Sequence, residues 1–440
     1  MNIQKFIDYA LSNGLSSVQV FVSKSAKTSV KIYHSEVEKM GVADSQSLLA
    51  MGICNGKIGT ASTEKLDSTT FDFLLQAIKD SASVNENSDF LDFYEGDKKY
   101  HKRNVYSKAL DEWKTEDVIK TLREVENKIY SYDKRISDVT GLSFSSIKEE
   151  TEIYNSYGLK LKQKSNYYFI TTGVVAKDKD EVKTGYEAFA DNDPGKFNVD
   201  EFVRKAATET LEKLGGGPCE SKKYPTILKA SVFADILDYF IGQLSAEEVE
   251  KHSSLAEGKI GQKIASSKLT IYEKPLAKNI FFSFFDDEGV AKENKAIIKN
   301  GVLLTYLHNR KTAAKMGVKT TGNGAMTGIK MGISYSNIFV KPGKKTFEEL
   351  LSTVKEGVYI TDIAGLGTGI NPRSGDFSCQ AEGFLIKDGK VERPLSLITL
   401  SGNLMKMLKD IREFDDREEL ETSSFSLSDV LIKSMNIGGK

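Results

Sequence analysis

LEKLGGGPCE, residues 211–220, is the stretch whose reading divides the chain. Phe202, Ala206, Thr210 and Leu214 recur at helical spacing ahead of it. Gly215-Gly216-Gly217 then removes every side chain that would hold a helix, and Pro218 cannot continue one. A glycine run closed by proline marks a domain boundary. Beyond it, a short strand near Tyr224–Lys229 and a helix from Ser231 through Gln243 open the last domain.

Upstream, Ile3, Phe6, Ile7 and Ala10 form one helical face that Gly14 ends. Val18, Val20 and Val22 alternate with polar residues, as do Val30 and Ile32, which predicts half-buried strands. The apolar run Leu48 to Cys54 meets Asn55-Gly56, a hairpin signal. Phe71, Leu74, Leu75 and Ile78 predict a second helix over 67–83. The polar run EGDKKYHKR, residues 95–103, separates the next unit. There Thr115 is placed to cap a helix bearing Val118, Leu122, Val125 and Ile129. Strands are expected near 136–145, 150–156, 160–176 and 181–190.

Downstream the pattern is mostly strands and glycine-bearing turns, with helices expected at 346–355 and near 402–412. No regular strand–helix–strand alternation appears, so a wholly parallel sheet is not expected. The fold class is α+β: helix and antiparallel-sheet domains over 1–103 and 104–217, then a larger, mostly antiparallel β domain with a few helices over 218–440.

The composition fits a folded globular chain, with 40% hydrophobic and 28% charged residues. Lys+Arg number 61 and Asp+Glu 62, a net charge of -1 that argues against direct nucleic-acid binding. Cys54, Cys219 and Cys379 make no disulfide framework or zinc pattern, which suits a reducing compartment. MNIQKFIDYALSNG lacks the basic and apolar regions of a signal peptide, and no apolar run is long enough to span a membrane. A cytoplasmic protein with no membrane association is expected.

The candidate chemistry is sparse. His34, His101, His252 and His308 fall in no ligand spacing. Glu248 and His252 could share a helical face, but a pair supplies too few ligands for zinc, and Ala246–Lys251 reads more simply as a solvated face. Asp286-Asp287-Glu288-Gly289 offers carboxylates for acid–base work or a hard cation, and equally a polar turn; the turn is the stronger reading. Gly365-Leu366-Gly367-Thr368-Gly369 precedes Ile370-Asn371-Pro372 and a strand, so it reads as a tight loop and not as a phosphate cradle. Glycines there allow close approach of a foreign backbone, which suits a peptide groove.

Five segments of the last domain are FDDEG (Phe285–Gly289), NGVLLTYL (Asn300–Leu307), TGNG (Thr321–Gly324), NPRSGDFSCQAEGFLIKDGK (Asn371–Lys390) and SGNLMKMLKDI (Ser401–Ile411). In this order and spacing they resemble the TldD/PmbA family, and its PmbA/TldE branch in particular. The resemblance implies a cytosolic two-subunit zinc peptidase acting on unfolded or extended peptides, with a historical name as a modulator of DNA gyrase. In the family's catalytic type of subunit, an HExxxH motif on the first helix of the last domain and a later cysteine hold zinc. The matching positions here read Asp238, Tyr239 and Gln243, with Gly365 where the cysteine is expected. Asp238 alone keeps a group able to ligate zinc, so the resemblance implies no metal or cofactor in this chain and zinc only in a partner.

The expected function is the non-catalytic, metal-free subunit of a TldD/TldE-type peptidase, with a TldD-like catalytic chain or a second copy as partner. An unfolded peptide would lie along Thr321, Gly322, Asn323 and Gly324 and along Gly367, Gly369, Asn371, Ser374 and Asp376. The alternatives are a metal-free homodimeric regulatory protein of the gyrase-modulator type and a hydrolase using Asp286–Glu288.

Overall fold

The computed structural model describes residues 2–85 and 92–440. Its first half is organised by one six-stranded antiparallel sheet. The strands are β1 (Ser17–Tyr33), β2 (Glu36–Cys54), β3 (Lys57–Thr63), β4 (Ile136–Asn155), β5 (Lys160–Asp178) and β6 (Glu181–Asp191), in the order β3-β2-β1-β4-β5-β6. Both segments before residue 218 therefore contribute strands to a single sheet. The Asn55-Gly56 signal gives the β2–β3 turn, with φ of 50° and 73°.

The strands are longer than their hydrophobic patterns. Residues 136–145 and 150–156 were expected as separate strands and are one, as are the Val18–Val22 and Val30–Ile32 segments. The reason lies in what covers the sheet. Helices Ile3–Ser12 and Phe71–Val84 bury Val18, Val20 and Val22 at one end of one face. Helices Thr115–Tyr132 and Val199–Leu211 bury Val30, Ile32 and Phe144 at the other end of the same face. Between them Lys24, Ala26 and Thr28 lie only partly covered, and ion pairs replace the core: Lys24 with Glu150 at 2.9 Å, Lys162 with Glu152 at 2.8 Å, Lys164 with Glu150 at 2.6 Å. Ladders to β2 and β4 on both sides carry β1 through this belt. Thr115 is not a cap: it is the first helical residue, and the N-cap Lys114 makes no side-chain capping bond.

After Pro218 come β7 (Lys222–Leu228), β8 (Ile271–Glu273), β9 (Lys295–Lys299), β10 (Val302–Leu303), β11 (Gly324–Thr327), β12 (Lys330–Ile333), β13 (Ile338–Val340) and β14 (Glu356–Ala364). The chain ends with β15 (Asp376–Lys387), β16 (Lys390–Asn403), β17 (Ile411–Phe414), β18 (Glu419–Leu420), β19 (Phe425–Leu427) and β20 (Val430–Gly438). They form two six-stranded sheets, β16-β15-β14-β7-β20-β17 and β10-β9-β8-β13-β19-β18, and the hairpin β11–β12. Pairing is antiparallel except at β7–β14 and β13–β19. Additional β16–β20 pairing joins Thr399–Ser401 to Asn436–Gly438 and curls the first of these sheets round on itself. The helix Ala230–Gly242 lies in the core between them. This domain meets the opposite face of the first sheet through Phe282, Phe284 and Phe285, which pack on Ile153, Leu159 and Leu161.

Candidate functional site

The helix Ala230–Gly242, ASVFADILDYFIG, is buried nearly all round. Asp235 and Asp238 are its exposed residues, three apart on one stripe, with Tyr239 half-buried beside them. That stripe faces a cavity of about 370 Å³, lined by Ala234, Asp235, Asp238, Tyr239, Ile363, Leu366 and Ser423. A helix otherwise built for the interior thus spends its polar positions on a cavity wall.

The wall is acidic. Tyr335 donates its hydroxyl to Asp238 Oδ1 at 2.5 Å, and burial together with this carboxylate holds the phenol above its ordinary range. Burial first, then Asp238 and Asp362, raises the Asp235 carboxyl. Burial and Glu419 push Glu421 up to about 7, with Asp235 adding to the effect. Ion pairs between the two halves of the molecule stand around the helix and β14: Lys229 with Glu209 at 2.8 Å, Lys213 with Asp362 at 2.8 Å and Lys183 with Glu382 at 2.9 Å.

The structure brings Asp238, Tyr239 and the Gly365–Gly369 loop together. Gly365, at φ 79°, opens the short helix Leu366–Gly369, where the sequence suggested a plain loop. Leu366 enters the cavity, and a Cβ on Gly367 would stand 3.3 Å from the Tyr239 hydroxyl. Gln243 is turned to other work. Its Oε1 accepts Leu255 N at 3.1 Å, and its carbonyl accepts the Ser254 hydroxyl at 2.5 Å.

These donors do not fit zinc. A zinc centre needs three or four N, O or S ligands converging within about 2.3 Å. Here one Asp238 oxygen already accepts a phenol, the Gln243 oxygen is committed to the backbone, and Gly365 has no side chain. Among the described residues no group of three or more His, Cys, Asp or Glu side chains is arranged to hold a metal ion. Glu248 and His252 also part company: Glu248 accepts from Ser253 and Lys251, while His252 Nδ1 lies 2.7 Å from Glu257.

The acidic turn at Asp286 is structural. Asp286 accepts Glu288 N and Val290 N through Oδ1 and Gly324 N through Oδ2. Asp287 accepts Met326 N, and Glu288 accepts Arg310 N at 2.7 Å. These acceptors clamp the other glycine-bearing segment. Thr321 bonds His308 and Asn323, and buried Asn323 donates to Glu273 at 2.9 and 3.1 Å, so the Thr321, Asn323 and Gly324 polar groups are spent internally, with Gly322 buried beside them.

The segment Gly365–Asp376 is different. Gly367, Asn371, Ser374 and Asp376 are exposed, while Gly369 packs so closely that a Cβ would fall 2.0 Å from Ser378 O. Asn371 Oδ1 accepts Arg373 N and Ser374 N, and Asp376 accepts Asn403 Nδ2 at 2.9 Å, which sets the shape of an otherwise glycine-rich rim. Sequence reading did not single out Asp235, Tyr335, Ile363 or Ser423, and met Leu366 only as part of the glycine loop. Asp235 carried a usable signal: it lies three residues before Asp238 in an otherwise apolar helix.

Comparison with known proteins adds relatives along most of the chain. Residues 221–439 match the model of the PmbA/TldA metallopeptidase C-terminal domain, and residues 108–214 that of the central domain. Metalloprotease PmbA of Escherichia coli O157:H7 is 26% identical over 455 residues, covering 99% of this chain and 97% of that protein. A metalloprotease of Methanocaldococcus jannaschii is 30% identical over 304 residues, covering 68% and 65%. The crystal structure of a candidate modulator of a DNA gyrase from Thermotoga maritima superposes with a TM-score of 0.92, 26% identity and 99% coverage of both chains. TldE from Thermococcus kodakarensis shares the fold at a TM-score of 0.90, with 19% identity over 99% of this chain and 100% of that one.

Proposed function

The chain belongs to the PmbA/TldD metallopeptidase family, and we propose that within it this chain is a metal-free subunit that binds unfolded or extended peptides for a catalytic partner. The observation that supports it is the cavity lined by Asp235, Asp238 and Tyr239, two of which, Asp238 and Tyr239, stand where the resemblance places the family's metal-site residues. The exposed rim Gly367–Asp376 supports the peptide half of the reading. Exposed Gly367 admits a backbone, and polar Asn371 and Ser374 can bond one whatever its side chains.

On this reading the chain's own residues bind and orient. Ile363 and Leu366 offer an apolar floor, Asp235 and Asp238 a negative wall, and water attack on the amide is left to zinc in the partner, a TldD-like chain carrying HExxxH. Cytoplasmic location belongs to the same proposal; no described helix is long and apolar enough to cross a membrane.

The test is to mix this chain with an HExxxH-bearing family member and assay an unfolded peptide. Cleavage by the mixture, beyond what either chain does alone, supports the proposal. Bound zinc at unit stoichiometry in the isolated chain would overturn it. Peptide binding without capture of any catalytic chain would instead favour the homodimeric, regulatory alternative.

A further inference from the structure

The negative charge around the cavity is not matched by the cations beside it. Lys213 is engaged by Asp362 at 2.8 Å and by Glu382 at 3.5 Å, and Lys229 by Glu209 at 2.8 Å. Among the described residues no Lys, Arg or His stands within ion-pair distance of Asp235, Asp238, Glu419 or Glu421. These carboxylates are close enough to act on one another: Asp238 and Asp362 on Asp235, and Glu419 and Asp235 on Glu421. The chain as a whole is nearly neutral, at -1, so the imbalance is local. Like charges gathered in this way are relieved by a cation from outside.

Charge alone would not make a binding site. Here it lies on the wall of a cavity whose floor is apolar, formed by Ala234, Ile363 and Leu366. Asp235 and Asp238, three residues apart on one stripe, rise beside that floor. The Tyr335 hydroxyl fixes Asp238 through Oδ1 and leaves its other oxygen without a protein donor among the described residues. Asp235 has no bonded partner at all among those residues. A volume of about 370 Å³ is at the small end of ligand sites, which run from about 300 to 1,000 Å³, and suits one long side chain with its water. A long cationic side chain matches floor and wall together: its methylenes lie on apolar surface while the charged head reaches the carboxylates. A neutral polar side chain gains no ion pair there, and an acidic one adds to the repulsion.

We propose that the cavity selects a lysine or arginine side chain of the bound peptide, with Asp235 and Asp238 as the specificity-determining residues and Ile363 and Leu366 holding the aliphatic stem. The proposal rests on the peptide-binding reading above and adds the substrate class to it. The α-ammonium of a peptide carries the same charge but has no stem to lie on the floor, so the occupant is a side chain.

The experiment takes the full chain and fluorescein-labelled, N-acetylated peptides of Gly, Ser and Ala that differ only at a central Lys, Arg, Gln or Glu. Fluorescence anisotropy is expected to rank Lys and Arg at least about tenfold tighter than Gln, with Glu weakest. Salt at about 1 M, where the Debye length is about 3 Å, is expected to shrink that ratio. In Asp235→Asn/Asp238→Asn the Lys-to-Gln ratio is expected to fall to about one, with circular dichroism reporting that the fold is kept. Asp235→Asn alone, at an exposed position, is expected to lower the ratio in the same direction should the pair of substitutions unfold the helix. Equal affinities for the Lys, Gln and Glu peptides would overturn this proposal and leave the functional reading standing. A Lys preference that survives both substitutions would overturn it too, as would binding confined to peptides with a free N-terminus, the mark of an α-ammonium ligand. No binding of any peptide would overturn the functional reading, and this proposal with it.

Discussion

Asp429 accepts the backbone N–H of Ala230 through Oδ1 at 2.8 Å, although 199 positions separate the two. Lys229, the N-cap, makes no side-chain capping bond, so the helix bearing Asp235, Asp238 and Tyr239 is capped by a residue from the far end of the chain. The other oxygen of Asp429 accepts the Tyr359 hydroxyl at 2.9 Å, and Arg417 stands 3.4 Å away. Position and orientation of the cavity wall thus depend on the last strands of the domain.

Replacing Asp429 by Ala uncaps the helix and strips half-buried Tyr359 of its acceptor. The expected loss is about 2 kcal/mol or more, seen as a lower urea midpoint at constant m-value. Asp429→Asn keeps an acceptor for Ala230 and is expected to lose less. Equal losses from the two variants would contradict the capping role.

Phe284 joins the halves of the molecule. It is buried, meets Phe285 edge-on with ring centroids 4.8 Å apart, and packs in the cluster with Leu159 and Leu161. Phe284→Ala is expected to cost about 3–5 kcal/mol and to loosen the seam more than either core. Calorimetry should then resolve two transitions where the wild type shows closer coupling; a single transition, merely shifted, would count against this view.

Burial, followed by Asp286, pushes the Glu288 carboxyl from 4.5 up to about 7. Between those values the folded protein holds a proton that the unfolded chain has released. The group's stabilising contribution is therefore complete below the unfolded value and is lost as pH rises through 7. Glu288→Gln keeps an acceptor for Arg310 N and cannot ionise. It is expected to match the wild type near pH 4 and to exceed it by on the order of 1 kcal/mol above pH 7. Parallel melting-temperature curves across that range would show that Glu288 is not raised.

Gly367 is exposed at the cavity rim, and a side chain there points at Tyr239. Gly367→Leu is expected to weaken binding of an unfolded peptide at least tenfold, a 1.4 kcal/mol effect, with melting temperature nearly unchanged. Unaltered affinity in a titration followed by fluorescence anisotropy would remove the rim from the binding surface.

Much of this was legible beforehand. Periodicity located the long helices but not the short Lys108–Glu112 and Arg310–Met316, Asn55-Gly56 gave its hairpin, and the Gly215–Pro218 break separates the first sheet from the last domain. Asp238 and Tyr239 were identified through resemblance, and their shared cavity needed the fold, since Ile363, Leu366 and Ser423 arrive from distant strands and loops. Thr321–Gly324 looked like groove material because glycine content reports backbone freedom and not exposure; the Glu273 and Asp286 carboxylates that consume its donors lie 50 and 38 residues away. Strand lengths were unreadable for a related reason. Alternation records which residues a helix covers, and the polar middle of β1 is held by ladders that leave no compositional trace.

That uncovered middle has an evolutionary consequence. Lys24, Ala26 and Thr28 touch no apolar core, so most substitutions there are cheap, yet the same strand threads a packed core at each end. Adding or deleting one residue between Ser23 and Ser29 would turn Val30 and Ile32 to the wrong face while Val18–Val22 stayed in place. The stretch is free in spelling and fixed in length, so drift among descendants of this chain should accumulate there as replacements and almost never as insertions or deletions.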